Sequence, residues 1–143
     1  MINLKAIKPY TRLHRGFSTK PYIYVRRYKR NVSRIIFNSY FLALTDNRQA
    51  KYTRLFISEP DKVLAFDFLS KGLQSDLKLI TTNNEKFISA TAILKENVWI
   101  KDDRYEVFLI DKSKEDGKQY PIDKNLPLAH IKKENRLYII EVK

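Results

Sequence analysis

The sequence predicts an α+β protein that is mainly β, with a small barrel-like or strongly twisted antiparallel sheet, two short helices and a basic N-terminal arm. Short runs rich in aromatic and β-branched residues recur along the chain, and turn-forming residues separate them. Of the 143 residues, 43% are hydrophobic, which is enough apolar surface for one folded unit. Pro9, Gly16 and Pro21 interrupt any regular element before residue 22. We therefore expect an extended arm at 1–21 and a single β-rich domain at 22–143.

The first half of the domain contains four strand signals and one helix signal. Residues 22–28 are rich in aromatic and β-branched side chains, and 34–37 form a second strand-like run. Asn38 can cap a short helix that extends to Leu44, because its side chain can accept a backbone N–H. The runs 52–57 and 63–68 flank a turn-forming segment and predict a hairpin.

The second half repeats the order strand, helix, strand. A strand is expected at 87–89, a short helix at 90–96, and further strands at 105–110 and 136–142. When Ile36-Phe37-Asn38 is aligned with Phe87-Ile88-Ser89, the two predicted helices occupy matching positions in the alignment. This pattern predicts a degenerate internal duplication of residues 33–70 and 85–143. Chance similarity between β-rich segments is the alternative.

Residues 34–68 resemble a known family. Arg34 to Asn38, then Tyr40 to Leu44, then the hairpin at 52–68 are similar to the strand, short helix and two strands of AbrB-type swapped-hairpin domains. Those domains are small DNA-binding barrels that are often dimeric. The resemblance implies DNA contact near the first strand, at Arg30 and Arg34, and a homodimer as one form of assembly. A tandem duplication would supply in one chain what the family assembles from two.

Charge is distributed very unevenly along the chain. The net charge is +12, and ten basic residues precede the first carboxylate, Asp46. The other 98 residues carry 18 Lys and Arg against 16 Asp and Glu. Such an acid-free segment favours a polyanionic partner.

The aromatic residues among these charges suggest base stacking as well as phosphate contact. Strand alternation would place Arg26, Tyr28 and Arg30 on one face with Tyr22 and Tyr24. The alternative is that the tyrosines pack on the core and the arginines are only solvated. The predicted nucleic-acid-binding residues are Lys5, Lys8, Arg12, Arg15, Lys20, Tyr22, Tyr24, Arg26, Arg27, Tyr28, Lys29, Arg30 and Arg34.

Catalysis and cofactor binding have little support in the sequence. The three glycines stand too far apart to form a phosphate loop, and there is no cysteine. His14 lies among basic residues that would repel a cation, and His130 is expected at a partly buried strand position. We therefore expect no cofactor, no metal and no enzymatic activity. One exception remains open, because Asp123, Glu141 and Lys143 resemble the metal-binding pattern of PD-(D/E)xK nucleases, which would make the chain a Mg²⁺-dependent nuclease.

Three functional classes follow from these observations. The first is a non-catalytic protein that binds the phosphate backbone of DNA or RNA with little base specificity. The second is an anti-CRISPR-like phage inhibitor of a host nucleoprotein enzyme that contacts protein and guide RNA. It is suggested by a Lys-, Ile-, Asn- and Tyr-rich composition typical of AT-rich genomes. The third is a ribosome- or capsid-associated structural protein.

The expected location is the cytoplasm, which is the host cytoplasm if the chain is phage-encoded. The absence of cysteine suits a reducing compartment. No apolar run approaches the roughly 18 residues of a membrane span, and the N-terminus lacks the apolar segment of a secretory signal. The expected partner is therefore nucleic acid or a nucleoprotein complex, with no membrane.

Overall fold

A computed structural model describes residues 20–123 and 130–142. The described residues include short strands, two six-residue α-helices and a 3₁₀ helix at Lys133–Asn135. In chain order the elements are β1 (Tyr22–Arg26), β2 (Arg34–Phe37), α1 (Ser39–Leu44), β3 (Tyr52–Ser58), β4 (Val63–Leu69), β5 (Leu77–Lys78), β6 (Ile80–Thr82), β7 (Glu85–Ser89), α2 (Thr91–Glu96), β8 (Asp103–Glu106), β9 (Phe108–Asp111), β10 (Gln119–Pro121) and β11 (Arg136–Glu141).

The predicted class, mainly β with two short helices, is confirmed. The strands form two antiparallel sheets that do not close into a barrel. Sheet A has the order β6-β7-β2-β1-β8, and sheet B has the order β10-β9-β11-β4-β3-β5. The architecture is therefore a pair of sheets, and the barrel alternative does not hold.

Local sequence signals explain where the first helix begins. The Asn38 side chain accepts a hydrogen bond from the backbone N–H of Phe41 at 2.9 Å, and α1 ends at Leu44 as predicted. The Asn38 amide also donates to the carbonyl of Lys20 at 2.8 Å. This one side chain therefore starts the helix and holds the chain that enters β1.

The inner faces of the two sheets pack against each other through aromatic rings. Phe37 of sheet A meets Phe66 and Phe68 of sheet B edge to face, with ring centroids 5.1 and 5.0 Å apart. Phe41 of α1 joins this group and contacts Tyr138 at 5.3 Å. All but Phe68 and Tyr138 are fully buried, and those two are nearly so. The sheets are thus packed face to face, and their outer faces lie outside this aromatic core.

The segment 105–110, expected as one strand, is divided between the two sheets. β8 pairs with β1 in sheet A, and β9 pairs with β11 in sheet B. Val107 lies between them and is buried, so the chain crosses from one sheet to the other at this residue. The apolar run is continuous in sequence because both of its halves contribute to the same core.

The two proposed repeats are interleaved in the structure. β2 pairs with its proposed counterpart β7, and β4 pairs with its proposed counterpart β11, in both cases antiparallel. Neither segment therefore forms a separate unit. Common ancestry of the two segments stays a prediction.

No helix within the described residues combines the length and the apolar character needed to cross a bilayer.

Candidate nucleic-acid interface

Strand β1 presents a polar and aromatic face to the outside of sheet A. Ile23 and Val25 are fully buried in the core, whereas Tyr22 and Tyr24 are half-buried and Arg26 is exposed. This alternation follows from the two-residue period of a strand. Two of the predicted rings and one predicted arginine therefore share one surface.

The neighbouring strands bring two further arginines to that surface. Arg34 of β2 lies directly opposite Arg26, and Arg104 of β8 lies directly opposite Tyr24. We call the surface formed by Tyr22, Tyr24, Arg26, Arg34 and Arg104 the basic face. It has one arginine on each of three adjacent strands, with two tyrosines among them.

Each guanidinium of the basic face lies over an aromatic ring. The Cζ atom of Arg104 lies 5.1 Å from the ring centroid of Tyr22, and that of Arg26 lies 5.7 Å from the ring centroid of Tyr24. The guanidinium of Arg34 is 4.2 Å from the ring centroid of Phe87. Such cation–π contacts hold a flexible side chain in place while its N–H groups remain free to bind an anion.

The arginines of the basic face form no ion pair with any acidic residue in the described part of the chain. Within the described residues, ion pairs engage Arg27, Arg54, Lys62 and Lys112 but none of these three arginines. Arg26 and Arg34 are moreover a directly opposed like-charge pair, an arrangement that destabilises a sheet. An anion bound between them would relieve that repulsion.

The connection between β1 and β2 adds three predicted residues next to this pair. Tyr28, Lys29 and Arg30 are all exposed. The strand ends at Arg26, however, so the expectation that Tyr28 and Arg30 continue the alternation of β1 is wrong. The backbone N–H of Tyr28 instead donates to Ser33 Oγ at 3.3 Å, which closes the loop. These residues can contact a ligand at the end of the basic face.

Arg27 points away from the basic face and is engaged in holding the fold together. Its Nη1 forms an ion pair with Asp102 Oδ1 at 2.6 Å, and its backbone N–H donates to Asp102 Oδ2 at 2.9 Å. Its Nη2 donates to the carbonyls of Leu94 and Asn97, near the C-terminal end of α2. The structure thus gives Arg27 a structural role, and its phosphate contact stays a prediction.

Replacing Arg27 should therefore affect stability more than binding. We expect Arg27→Met to lower the free energy of unfolding by about 1–2 kcal/mol, because the bonds to Asp102 and two carbonyls are lost. Nucleic-acid affinity should change less than about twofold. Urea unfolding and fluorescence anisotropy measure the two effects. A large loss of affinity with unchanged stability would return Arg27 to the interface.

Two carboxylates border the basic face at one end. Glu106 lies opposite Tyr22, and Glu85 begins β7. Burial raises the pKa of Glu85 above its ordinary value, so this group holds its charge less readily than a surface glutamate. The two carboxylates therefore lie at the Tyr22 end of the face together with the guanidinium of Arg104, whereas Arg26 and Arg34 lie at the other end.

The other predicted binding residues fall near or outside the described part of the chain. Lys20 is exposed and lines a cavity beside Tyr22. Lys5, Lys8, Arg12 and Arg15, and with them most of the proposed arm, lie outside the described residues.

Sequence reasoning missed Arg104. It lies in an exposed, mixed-charge segment with no local sign of function, far from the basic N-terminus. Only its pairing with Tyr24 brings it to the face. The prediction of a strand at 105–110 does not say which other strand this segment pairs with.

The other residues considered for catalysis or metal binding do not form a cluster in the described part of the chain. Among the described residues there is no group of three or more His, Asp or Glu residues suited to a metal ion. His130 is exposed, which corrects the expected partly buried position. Glu141 accepts a hydrogen bond from Gln119 at 3.3 Å, Asp123 lines the cavity beside Tyr22, and Lys143 lies outside the described residues. The nuclease interpretation stays a prediction.

No protein-family model, curated protein or solved structure matches this chain. The resemblance to AbrB-type domains therefore also stays a prediction.

Proposed function

We propose that this protein binds nucleic acid through the basic face and the adjoining β1–β2 loop, and that it contacts mainly phosphates with little reading of sequence. The observation that carries the proposal is the opposed pair Arg26 and Arg34, which has no carboxylate partner in the described part of the chain. Like charges directly opposite each other destabilise a sheet, and an anionic ligand bound between them would offset that cost.

Two further features support a nucleic acid over a small anion. Five cations, Arg26, Lys29, Arg30, Arg34 and Arg104, lie along one surface and its loop. The interleaved rings of Tyr22, Tyr24 and Tyr28 suit a ligand that alternates phosphate with planar bases. A row of cations and rings is the arrangement found in surfaces that follow a polynucleotide backbone.

The lack of sequence reading follows from the shape of the surface. Base-edge recognition in duplex DNA commonly uses a helix or a two-stranded ribbon that enters the major groove. Both α-helices of the described chain have only six residues, and the arginines stand on a sheet face instead. Arginines on such a surface reach phosphates, which carry no sequence information directly.

The salt dependence of binding tests this proposal. With about five phosphate contacts, the logarithm of the association constant should fall against the logarithm of salt concentration with a slope near −4.5 on a duplex or near −3.5 on a single strand. Fluorescence anisotropy with labelled oligonucleotides of unrelated sequence gives the slope. Absence of binding to bare DNA and RNA at low salt would overturn the proposal, and tight capture of a ribonucleoprotein in the same assay would favour the inhibitor alternative.

A further inference from the structure

A cavity of about 300 Å³ opens at the Tyr22 end of the basic face. It lies where the chain crosses from β8 to β9, so it is bounded by both sheets. The rings of Tyr22, Tyr40 and Phe108 line it together with Pro121. Its volume lies at the small end of the range for ligand sites, about 300–1,000 Å³, which suits a single planar heterocycle.

The charges around this cavity favour the base of a nucleotide inside it and the phosphate outside it. The charged residues that line the cavity are two carboxylates, Glu106 and Asp123, and one cation, Lys20. Two carboxylates against one cation leave the lining net negative, which disfavours a phosphate in the interior, and carboxylates accept hydrogen bonds from the exocyclic amino group of a base. Arg104 lies over the ring of Tyr22, one of the cavity walls, and can hold a phosphate outside.

We propose that this cavity takes one unpaired nucleobase carrying an exocyclic amino group, from a single strand whose phosphates lie on the basic face. The inference rests on the proposed function. It assigns to that function a preference for single strands, because a base within a duplex is stacked and paired and cannot enter a cavity. It also assigns to Glu106 a role in selecting the base, because this residue lies opposite Tyr22 and lines the cavity.

The test compares oligo(dC), oligo(dT) and a mixed-sequence duplex of equal length, with the full chain at neutral pH. Cytosine and thymine are pyrimidines of similar size, but only cytosine carries the amino group. Wild-type protein should bind oligo(dC) at least about fivefold more tightly than oligo(dT). Glu106→Gln should bring that ratio close to one, because an amide can both donate and accept and so accommodates either base. Duplex affinity should be the same in both proteins to within about twofold.

Two further variants keep the result interpretable. Glu59→Gln, which neutralises an exposed glutamate in the turn between β3 and β4, should leave the ratio as in wild type. Tyr40→Ala removes a cavity wall and should weaken single-strand binding severalfold without weakening duplex binding. A wild-type ratio near one, or a ratio that survives Glu106→Gln, overturns the inference. Failure of the proposed function is a different result, in which wild-type protein shows no salt-dependent binding to any of the three probes.

Discussion

The double variant R26E/R104Q is expected to lose about 10- to 100-fold in nucleic-acid affinity at about 0.1 M salt. It removes two cations from the basic face and places an anion beside the path of the phosphates. The slope of the salt dependence should shrink by about 1.4 on a single strand, since each lost phosphate contact contributes about 0.7. Fluorescence anisotropy across a salt series measures both quantities.

A matched control separates this effect from net charge. K71E/K114Q makes the same change in charge at two exposed lysines in the loops that follow β4 and β9 of sheet B. Its affinity should fall much less than that of R26E/R104Q. The fold should survive in the test variant, because a glutamate at position 26 faces Arg34 and replaces a like-charge pair with an opposite one. Equal losses in the two double variants would show that binding depends on overall charge and not on this surface.

Phe37→Ala should be the most destabilising single change among those considered, with a loss of about 3–5 kcal/mol in the free energy of unfolding. Phe37 is fully buried; it contacts Phe41 of α1 and, across the gap between the sheets, Phe66 and Phe68. Its removal leaves a cavity and breaks the edge-to-face contacts that join sheet A to sheet B. The melting temperature should fall by about 10–20 °C in a thermal scan followed by circular dichroism.

Phe56→Ala supplies the control for that experiment. Phe56 lies on β3 and is 47% exposed, so its truncation leaves little cavity. The expected loss is below about 1 kcal/mol. If the two variants lost similar stability, the aromatic contact between the sheets would not be the main support of the fold.

Much of the local structure could be predicted because local chemistry decides it. The bounds of β2 match the prediction, and Asn38 caps α1 because the capping bond needs only residues within one turn. The hairpin of β3 and β4 likewise depends on two apolar runs and the turn between them. In contrast, β5, β6 and β10 were not predicted, because two or three residues are too few to show a strand pattern. Of these, only β5 pairs with a distant strand, β3, whereas β6 and β10 pair with the strands next to them in the chain, β7 and β9.

The break between β8 and β9 shows what a pattern of apolar residues leaves undecided. A buried strand in one sheet and a crossing between two sheets have the same apolar composition. The pairing of Tyr105 with Ile23 and of Leu109 with Tyr138 decides between them. Those contacts join residues far apart in the chain, and local propensity carries no information about them.

The sequence by itself determined the class of the fold, the ends of several elements and the concentration of positive charge before Asp46. These depend on composition and on neighbours within a few residues. The tertiary structure alone decided which charges act together. Strand pairing brought Arg104 to Tyr24 and turned Arg27 toward Asp102, because antiparallel register sets which side chains share a face and which meet a distant partner.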